Sequence, residues 1–311
     1  MNIAILGAGA MGSFFGGLLA EAGQSVTLID INDAHLSAIR AGGLRLETDT
    51  GDYRVKSLKV SRPELAAEQP DLLLIFTKTM HTTNALVGVE HLLGGNTQVL
   101  SLQNGLGNVE TISQFVPSGR ILIGVTTWPA DMVGAGHVRS HGEGVIRLMT
   151  ADGMNRQALD DCVSVLDVAG LRCQADPKVW ASIWEKVAFN AALNSVCAVT
   201  RCTVDQLDLL PEGRQLVLRI AAEVISVARA SGVSADPDKT AGDVVNAITK
   251  HRGHKPSLLQ DILAGRPTEI ASINGAVVSA AAKAGVAVPC TETMLTLVQL
   301  IEHQALVTSV H

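Results

Sequence analysis

Strand signals fill the first 176 residues of this chain and stop after Pro177. Up to about residue 115, short β-rich runs alternate with helical stretches. Ile3 to Leu6, Ser25 to Ile29, Leu72 to Phe76 and Gln98 to Leu102 read as strands, and the segments after Gly12, Asn32, Met80 and Gly107 read as helices. Such alternation predicts parallel βαβ units, whose sheet is covered on both faces and whose strands are apolar almost throughout, as in Asp71-Leu-Leu-Leu-Ile-Phe76. Residues 120–150 change character. Short strands at Ile121 to Thr127, Gly136 to Ser140 and Gly144 to Leu148, separated by Gly-rich turns, predict an antiparallel or mixed extension of the sheet. A helix over 155–168 and a strand over 171–174 close this half. Only helical periodicity follows, at 180–200, 213–230, 237–249, 258–263, 269–284 and 291–305. The expectation is an α/β protein with a doubly wound N-terminal domain (1–176) and an all-α C-terminal domain (177–311). The boundary falls at Asp176-Pro177, because proline suits the first turn of a helix.

The 311 residues correspond to about two domains at ~150 residues each, enough to bury a core without disulfides or metals. A chain that is 47% hydrophobic and 17% charged is too apolar for disorder and too poor in charge for a coiled coil. With three tryptophans, one tyrosine and five phenylalanines, its core must be aliphatic. The net charge of -6 argues against nucleic acid as a partner. Cys162, Cys173, Cys197, Cys202 and Cys290 are odd in number and form no C-x-x-C, which predicts a reduced, cytoplasmic protein. Residues 2–6 are already strand-like, without the basic region of a signal peptide. Apolar stretches are broken well before the ~18 residues of a membrane span, so no membrane is expected as a partner. An all-α half rich in Ala and Val is suited to supplying a homodimer interface.

Gly7-Ala8-Gly9-Ala10-Met11-Gly12 is a G-x-G-x-x-G that directly follows the first strand and opens a helix, the setting in which this hexapeptide binds a dinucleotide. It makes the first half Rossmann-type. The first Gly allows the tight turn, the second a close approach of pyrophosphate, and the third close helix packing, while the helix N-terminus offers N–H groups to the phosphates. A Gly-rich turn without a ligand is the plain alternative. Asp30 ends the second strand 18 residues after Gly12, near the ~20 expected of the carboxylate that binds a ribose 2′-hydroxyl. It favours NAD(H) over NADP(H), or else caps the helix starting near Asn32. Gln103-Asn104-Gly105-Leu106-Gly107-Asn108 ends another strand at the edge where ligands of open sheets collect, although turns need Asn and Gly in any case. Lys78, at the end of a third strand, meets a cofactor phosphate or is solvated.

In the second half, Lys186, Asn190 and Asn194 lie one helical turn apart and form a polar stripe, opposite Trp180, Trp184, Val187, Ala188 and Ala191. Two mid-helix asparagines are unfavourable unless something hydrogen-bonds them, which points to a ligand over a solvated face. The segment from His254 to Gly275 has good local chemistry for capping by Ser257 and Thr268, with Glu269 at a helix start and Gly285 at its end. Spacing alone does not make it a site. His137-x-x-x-His141 and His251-x-x-His254 lack a third ligand at metal spacing, so no metal is expected. There is no G-x-S-x-G elbow and no cysteine with an evident histidine partner.

Taken together, these residues resemble the ketopantoate reductase (2-dehydropantoate 2-reductase) family. They supply its N-terminal G-x-G-x-x-G, a strand ending in Lys, an Asn-Gly-x-Gly loop, a Lys-x-x-x-Asn-x-x-x-Asn helix, and a late Ser followed by Arg-x-Thr-Glu-Ile-x-x-Ile-Asn-Gly. The resemblance implies that Gly7, Ala8, Gly9, Ala10, Met11, Gly12, Lys78, Asn104 and Ala130 bind NADP(H) or NAD(H). It also implies that Lys186 donates a proton, that Asn190, Asn194 and Ser257 hold a small 2-oxo acid, and that Glu269 sits in the cleft, contacting cofactor or substrate and helping to orient Lys186. An ordinary lysine, with a pKa of ~10.4, is charged at neutral pH and able to donate. The implied reaction is hydride transfer to the C2 ketone of ketopantoate, giving pantoate for pantothenate and coenzyme A biosynthesis. Three departures from the family pattern stand out: Asp30-Ile31-Asn32 where a basic residue often follows the second strand, Ser195 and Val204 near the substrate residues, and Trp128-Pro129. They motivate the alternative of an NAD-dependent D-2-hydroxyacid dehydrogenase acting on branched 2-oxo acids. A non-catalytic dinucleotide sensor is the alternative of another class, and it has no use for the Lys186 stripe.

Overall fold

In the computed structural model, which describes residues 1–308, the chain divides into two compact units. The first comprises residues 1–103 with 108–179, and the second comprises 104–107 with the chain from 180 onward. The first unit contains all the strands found among the described residues: β1 (Asn2–Leu6), β2 (Ser25–Ile29), β3 (Leu44–Thr48), β4 (Gly51–Val55), β5 (Lys59–Ser61), β6 (Leu72–Ile75), β7 (Gln98–Ser101), β8 (Ile121–Thr126), β9 (Asp131–Gly134), β10 (His137–Ser140), β11 (Ile146–Thr150) and β12 (Cys173–Ala175). Its helices are α1 (Ala10–Glu21), α2 (Asp33–Gly42), α3 (Thr82–Gly88), α4 (Asn108–Ile112) and α5 (Gln157–Val168).

The main sheet has the order β12-β11-β8-β7-β6-β1-β2-β5. Its six strands from β5 to β8 are parallel, and β11 runs antiparallel to β8. The alternating pattern predicts the parallel run for β1, β2, β6 and β7, whereas β5 is not foreseen by it and β8, expected in an antiparallel or mixed extension, continues the parallel run. β2 and β6 flank β1 on opposite sides, so the chain reverses its direction of winding at β1, the switch point where open sheets bind ligands. Leu6 pairs with both Ile29 and Ile75, and Ile75 with Ser101, so β1, β2, β6 and β7 all end at one edge. The strands are sealed by aliphatic side chains such as Ile3, Ile5, Leu28, Leu73 and Val99, each 0% exposed. Burying a side chain of this kind is worth about 1.5–3 kcal/mol. Gly16 lets α1 lie close on the sheet, since a Cβ there would come within 2.6 Å of the Leu28 side chain. Phe15 meets Phe76 at 4.8 Å and Phe14 meets Trp128 at 5.6 Å between ring centroids, gathering much of the sparse aromatic content around α1.

A second sheet, β4-β3-β10-β9, departs from the sequence-based expectation in two ways. Residues 44–55 supply β3 and β4 where no strand was foreseen, and the strand at 137–140 joins β3 rather than extending the main sheet. The alternation Leu44-Arg-Leu46-Glu-Thr48 before an Asp-Thr-Gly-Asp turn is a legible hairpin signal.

In the second unit α6 runs over Val179–Thr200, its first residue belonging to the first unit, followed by α7 (Pro211–Ala230), α8 (Pro237–Lys250), α9 (Ser257–Leu263), a π-helical turn (Ala271–Gly275), α10 (Ala276–Ala284) and α11 (Pro289–Thr308). Trp184, Val187, Ala188 and Ala191 of α6 enter a core with Ile220, Val224, Val244, Leu259 and Ile273. Trp180, expected on the same packed face, is 37% exposed. Gly285 adopts the left-handed conformation (φ 67°) and ends α10, as its position suggests. Among the described residues no helix is long and apolar enough to cross a membrane.

Candidate active site

Gly7, Asp30, Phe76-Thr77-Lys78 and Gln103 follow the four strands that end at the common edge of the main sheet. The three glycines of the first turn obey different constraints. Gly7 has φ 99°, and a Cβ there would come within 2.6 Å of the Thr77 nitrogen; at Gly12 it would come within 2.0 Å of the Gly7 carbonyl oxygen. The fold itself requires these two. Gly9 has an ordinary φ of -64° and nothing within 4 Å of where a Cβ would stand. Neither backbone nor packing calls for glycine there, whereas an incoming pyrophosphate does. No side chain caps α1, and no acidic residue occupies its first turn. The N–H groups of Gly9, Ala10 and Met11 therefore suit an anion, and the turn fits a dinucleotide.

Asp30 does not cap α2; Asn32 does, its Oδ1 accepting the His35 N–H. The Asp30 carboxylate instead accepts the Ala8 N–H at 2.6 Å and the Asn32 N–H at 2.9 Å, which braces the turn and leaves lone pairs for ribose hydroxyls. The neighbouring cation, Arg62, is engaged by Asp33 at 2.8 Å and Glu64 at 2.7 Å, and these carboxylates hold its guanidinium charged well above the ordinary range. Gln103 ties the edge loops together: its amide donates to the Thr77 carbonyl at 2.7 Å and to Thr82 Oγ1 at 2.8 Å, fixing the segment that carries half-buried Lys78. Ala130 stands just before β9, in the strand run of the second sheet.

A depression of about 530 Å³, lined by Arg40, Arg54, Lys56 and Lys59 among others, adjoins the start of β5. Lys59 pairs with Thr27, whereas Ser61 at the other end of β5 accepts the Asp30 N–H, so this depression is not at the nucleotide edge.

The second unit assembles its own cluster. The loop at Asn104–Gly107 belongs to this unit, a placement that chain spacing does not reveal. The π-helical turn explains it. The Ser272 carbonyl accepts the Leu106 N–H at 2.9 Å, and Gly105, at φ 85°, lies so close that a Cβ would stand 2.4 Å from that carbonyl oxygen. Docked in this way, the Asn104 amide makes a long contact, 3.5 Å, with Glu269 Oε2. Glu269 is 8% exposed, and its charge acts on Lys186. Lys186 is half-buried, and its ammonium is desolvated. Desolvation pulls its pKa down to about 8 against the opposing pull of Glu269, so the ordinary value of ~10.4 assumed from sequence does not hold.

Along α6, Asn190 follows Lys186 by one turn, and Asn194, 4% exposed, donates to Ser257 Oγ at 3.4 Å. Ser257 is not a cap, because Pro256 occupies that position, and its hydroxyl faces Asn194 instead. Thr268 does accept the Ile270 N–H at 3.1 Å, but the element that follows is the π turn rather than one continuous helix. The structure thus pairs Glu269 with Asn104 and Asn194 with Ser257, and sets the Glu269 charge to act on Lys186. It adds Gly105 and Ser272, whose docking role only the positive-φ preference of an Asn-Gly pair hints at. Among the described residues no group of three or more His, Cys, Asp or Glu is placed to hold a metal.

Two family models match the chain: ketopantoate reductase PanE/ApbA over residues 3–153, and the C-terminal model of the same family over 178–302. The chain belongs to the ketopantoate reductase family. A family relative from Streptococcus pyogenes, named 2-dehydropantoate 2-reductase, is 34% identical over 304 residues, covering 97% of this chain and 98% of the relative. Among solved structures, D-mandelate dehydrogenase with NADH and anilino(oxo)acetate is similar with a TM-score of 0.93 and 31% identity, over 98% of this chain and 99% of that one. A PanE/ApbA family ketopantoate reductase from Ralstonia eutropha gives a TM-score of 0.90 and 31% identity, with the same coverage. As a ketopantoate reductase family member the chain is an NAD(P)-dependent oxidoreductase acting on a CH–OH group.

Proposed function

We propose that this enzyme interconverts 2-dehydropantoate and pantoate, with a nicotinamide dinucleotide bound chiefly by the first unit and the 2-oxo acid held by residues of the second. The observation that carries the reading is the desolvated Lys186 ammonium on which the Glu269 charge acts, on the helix that also brings Asn194 to Ser257. The Streptococcus pyogenes relative, named 2-dehydropantoate 2-reductase, supports this substrate. In this reading Gly7, Ala8, Gly9, Ala10, Met11 and Gly12 hold the pyrophosphate, Asp30 holds the adenosine ribose, and Lys78, Asn104 and Ala130 make further contacts. The bound reduced cofactor supplies the hydride that reaches the substrate's C2 carbon.

Lys186 is charged at neutral pH, and with a pKa of about 8 it yields its proton to the ketone oxygen more readily than an ordinary lysine. Its ammonium also stabilises the negative charge growing on that oxygen, an interaction strengthened by desolvation. Glu269 keeps Lys186 protonated. Asn190, Asn194 and Ser257 engage the carboxylate and hydroxyl groups, so that C2 is held in one orientation. NADH is the preferred donor. The Asp30 carboxylate would repel a ribose 2′-phosphate, and Arg62, the nearby cation, is already engaged by Asp33 and Glu64.

A second reading, a D-2-hydroxyacid dehydrogenase for branched 2-oxo acids, is favoured by one observation, the likeness to D-mandelate dehydrogenase. Oxidation of NADH and of NADPH should be followed with ketopantoate, 2-ketoisovalerate and phenylglyoxylate side by side. The highest kcat/KM is expected for ketopantoate with NADH. Absence of turnover with ketopantoate defeats the first reading, and a clear preference for either simpler acid selects the second.

A further inference from the structure

Ser13 and His35 carry no motif, yet both are buried beside the glycine turn, Ser13 at 0% and His35 at 2% exposure. Their polar atoms form a chain whose directions are fixed. The Gly136 N–H donates to His35 Nδ1 at 3.0 Å, so Nδ1 is the bare nitrogen and the neutral ring carries its proton on Nε2. Nε2–H then donates to Ser13 Oγ at 2.9 Å, and the Ser13 hydroxyl donates to the Ala8 carbonyl at 2.9 Å. Backbone groups close the ring. The Ala8 and Asn32 N–H groups donate to the two oxygens of Asp30, and the His35 N–H donates to Asn32 Oδ1.

The consequence falls on the peptide between Ala8 and Gly9. In a trans peptide the C=O and the N–H point in opposite directions. Ser13 draws the Ala8 carbonyl toward buried α1, so the Gly9 N–H is aimed the other way, away from that carbonyl's hydrogen bond. Glycine is the residue whose backbone turns over most easily. A flipped peptide would set a carbonyl oxygen against an anionic ligand. We infer that Ser13 and His35 are positioning residues for the dinucleotide, locking the Ala8–Gly9 peptide in the orientation that presents its N–H to the pyrophosphate. This rests on the reading of Gly7–Gly12 as a dinucleotide turn.

His35 does a second thing through Gly136, the turn between β9 and β10. It fastens the hairpin that follows Ala130 to the same ring, so both segments are held by one side chain. The lock also requires a neutral imidazole, because an imidazolium would set an N–H against the Gly136 N–H. Burial lowers the pKa of His35 from its ordinary value, while Asp30, the charged group facing it from the end of β2, raises it. From α1 and the hairpin, Ser13 and the Gly136 backbone face the ring.

The test measures NADH dissociation constants by fluorescence titration, with kcat at saturating NADH and Tm alongside, for wild type, Ser13→Ala, His35→Leu and His35→Gln. Loss of one neutral hydrogen bond should weaken NADH binding about five- to tenfold in Ser13→Ala and His35→Leu, with kcat unchanged. His35→Gln, whose amide both accepts and donates, should recover part of that loss. Wild-type affinity should fall as the pH drops through the His35 titration, while that of His35→Gln stays flat. Wild-type affinity in Ser13→Ala overturns the inference, as does a proportionate loss of affinity, kcat and Tm in all three variants. A wild type that binds neither NADH nor NADPH overturns the dinucleotide reading itself.

Discussion

The glycine turn of the first unit and the Lys186 cluster of the second are built from different materials. The turn is made of backbone: six consecutive residues whose spacing is set by how closely a strand and a helix approach one another and, in the proposed function, a phosphate approaches both. The cluster is made of side chains drawn from α6, the start of α9, the Asn104 loop and the segment entering the π turn. A backbone device dictates residue types at fixed positions, so it can be read from one short stretch. A side-chain device only requires that distant residues meet.

That contrast predicts where substitutions strike. The largest effect belongs to the cluster. Lys186→Ala removes the proposed proton donor and the charge proposed to face the ketone oxygen, and kcat should fall by about a thousandfold or more, a loss on the scale of an oxyanion-stabilising group together with a general acid. The dinucleotide affinity, assigned in the proposed function chiefly to the glycine turn and Asp30, should hold. Steady-state rates and NADH titration on the same preparation decide it, and equal loss in both would erase the distinction between the two regions.

The next effect separates two glycines within the turn. Gly12→Ala forces a Cβ to within 2.0 Å of a backbone oxygen and should destabilise the fold by about 3 kcal/mol or more, seen as a large fall in Tm or as insoluble protein. Gly9→Ala meets no protein atom within 4 Å, so Tm should stay near wild type while NADH binding weakens at least about tenfold. If Gly9→Ala binds NADH normally, its open space has nothing to do with a ligand.

The same contrast accounts for what the sequence disclosed. The parallel strands, the edge on which Gly7, Asp30 and Gln103 follow their strands, and the helical second half all follow from periodicity, because burial imposes it residue by residue. The hairpin of β3 and β4 also left a visible alternation. Glu269 and Ser257 left none, since each looks like an ordinary helix-start residue until the fold brings Asn104 and Asn194 to them. Nor could any local pattern disclose that the Lys186 ammonium is desolvated. His35 is similar, a histidine in an unremarkable helix whose partner lies 101 residues away.

A smaller effect probes cofactor choice. Asp30→Ala should narrow the preference for NADH over NADPH by about tenfold, through loss of ribose hydrogen bonds on one side and of repulsion on the other. Part of the change will be loss of bracing at the Ala8 N–H, which weakens both cofactors alike, so the ratio of the two kcat/KM values is the informative quantity. A wild type that strongly prefers NADPH contradicts the role given to this carboxylate.

The finest test concerns the one place where the cluster tunes itself. With Lys186 as the proposed proton donor, reduction requires its protonated form, so the rate should hold below pH about 8 and fall as the pH rises through that value. Oxidation of the hydroxy acid requires the neutral amine and should show the opposite limb. Two opposing influences set the position: desolvation disfavours the ammonium, and the Glu269 carboxylate favours it. Glu269→Gln removes only the second influence at nearly constant volume, so the alkaline limb for reduction must move toward lower pH, with about a few-fold loss at pH 7 and a larger loss at pH 8. Were Glu269 merely a contact to substrate, the same variant would raise KM and leave the limb in place. A limb that moves toward higher pH would mean that the carboxylate does not act on Lys186 as the geometry requires.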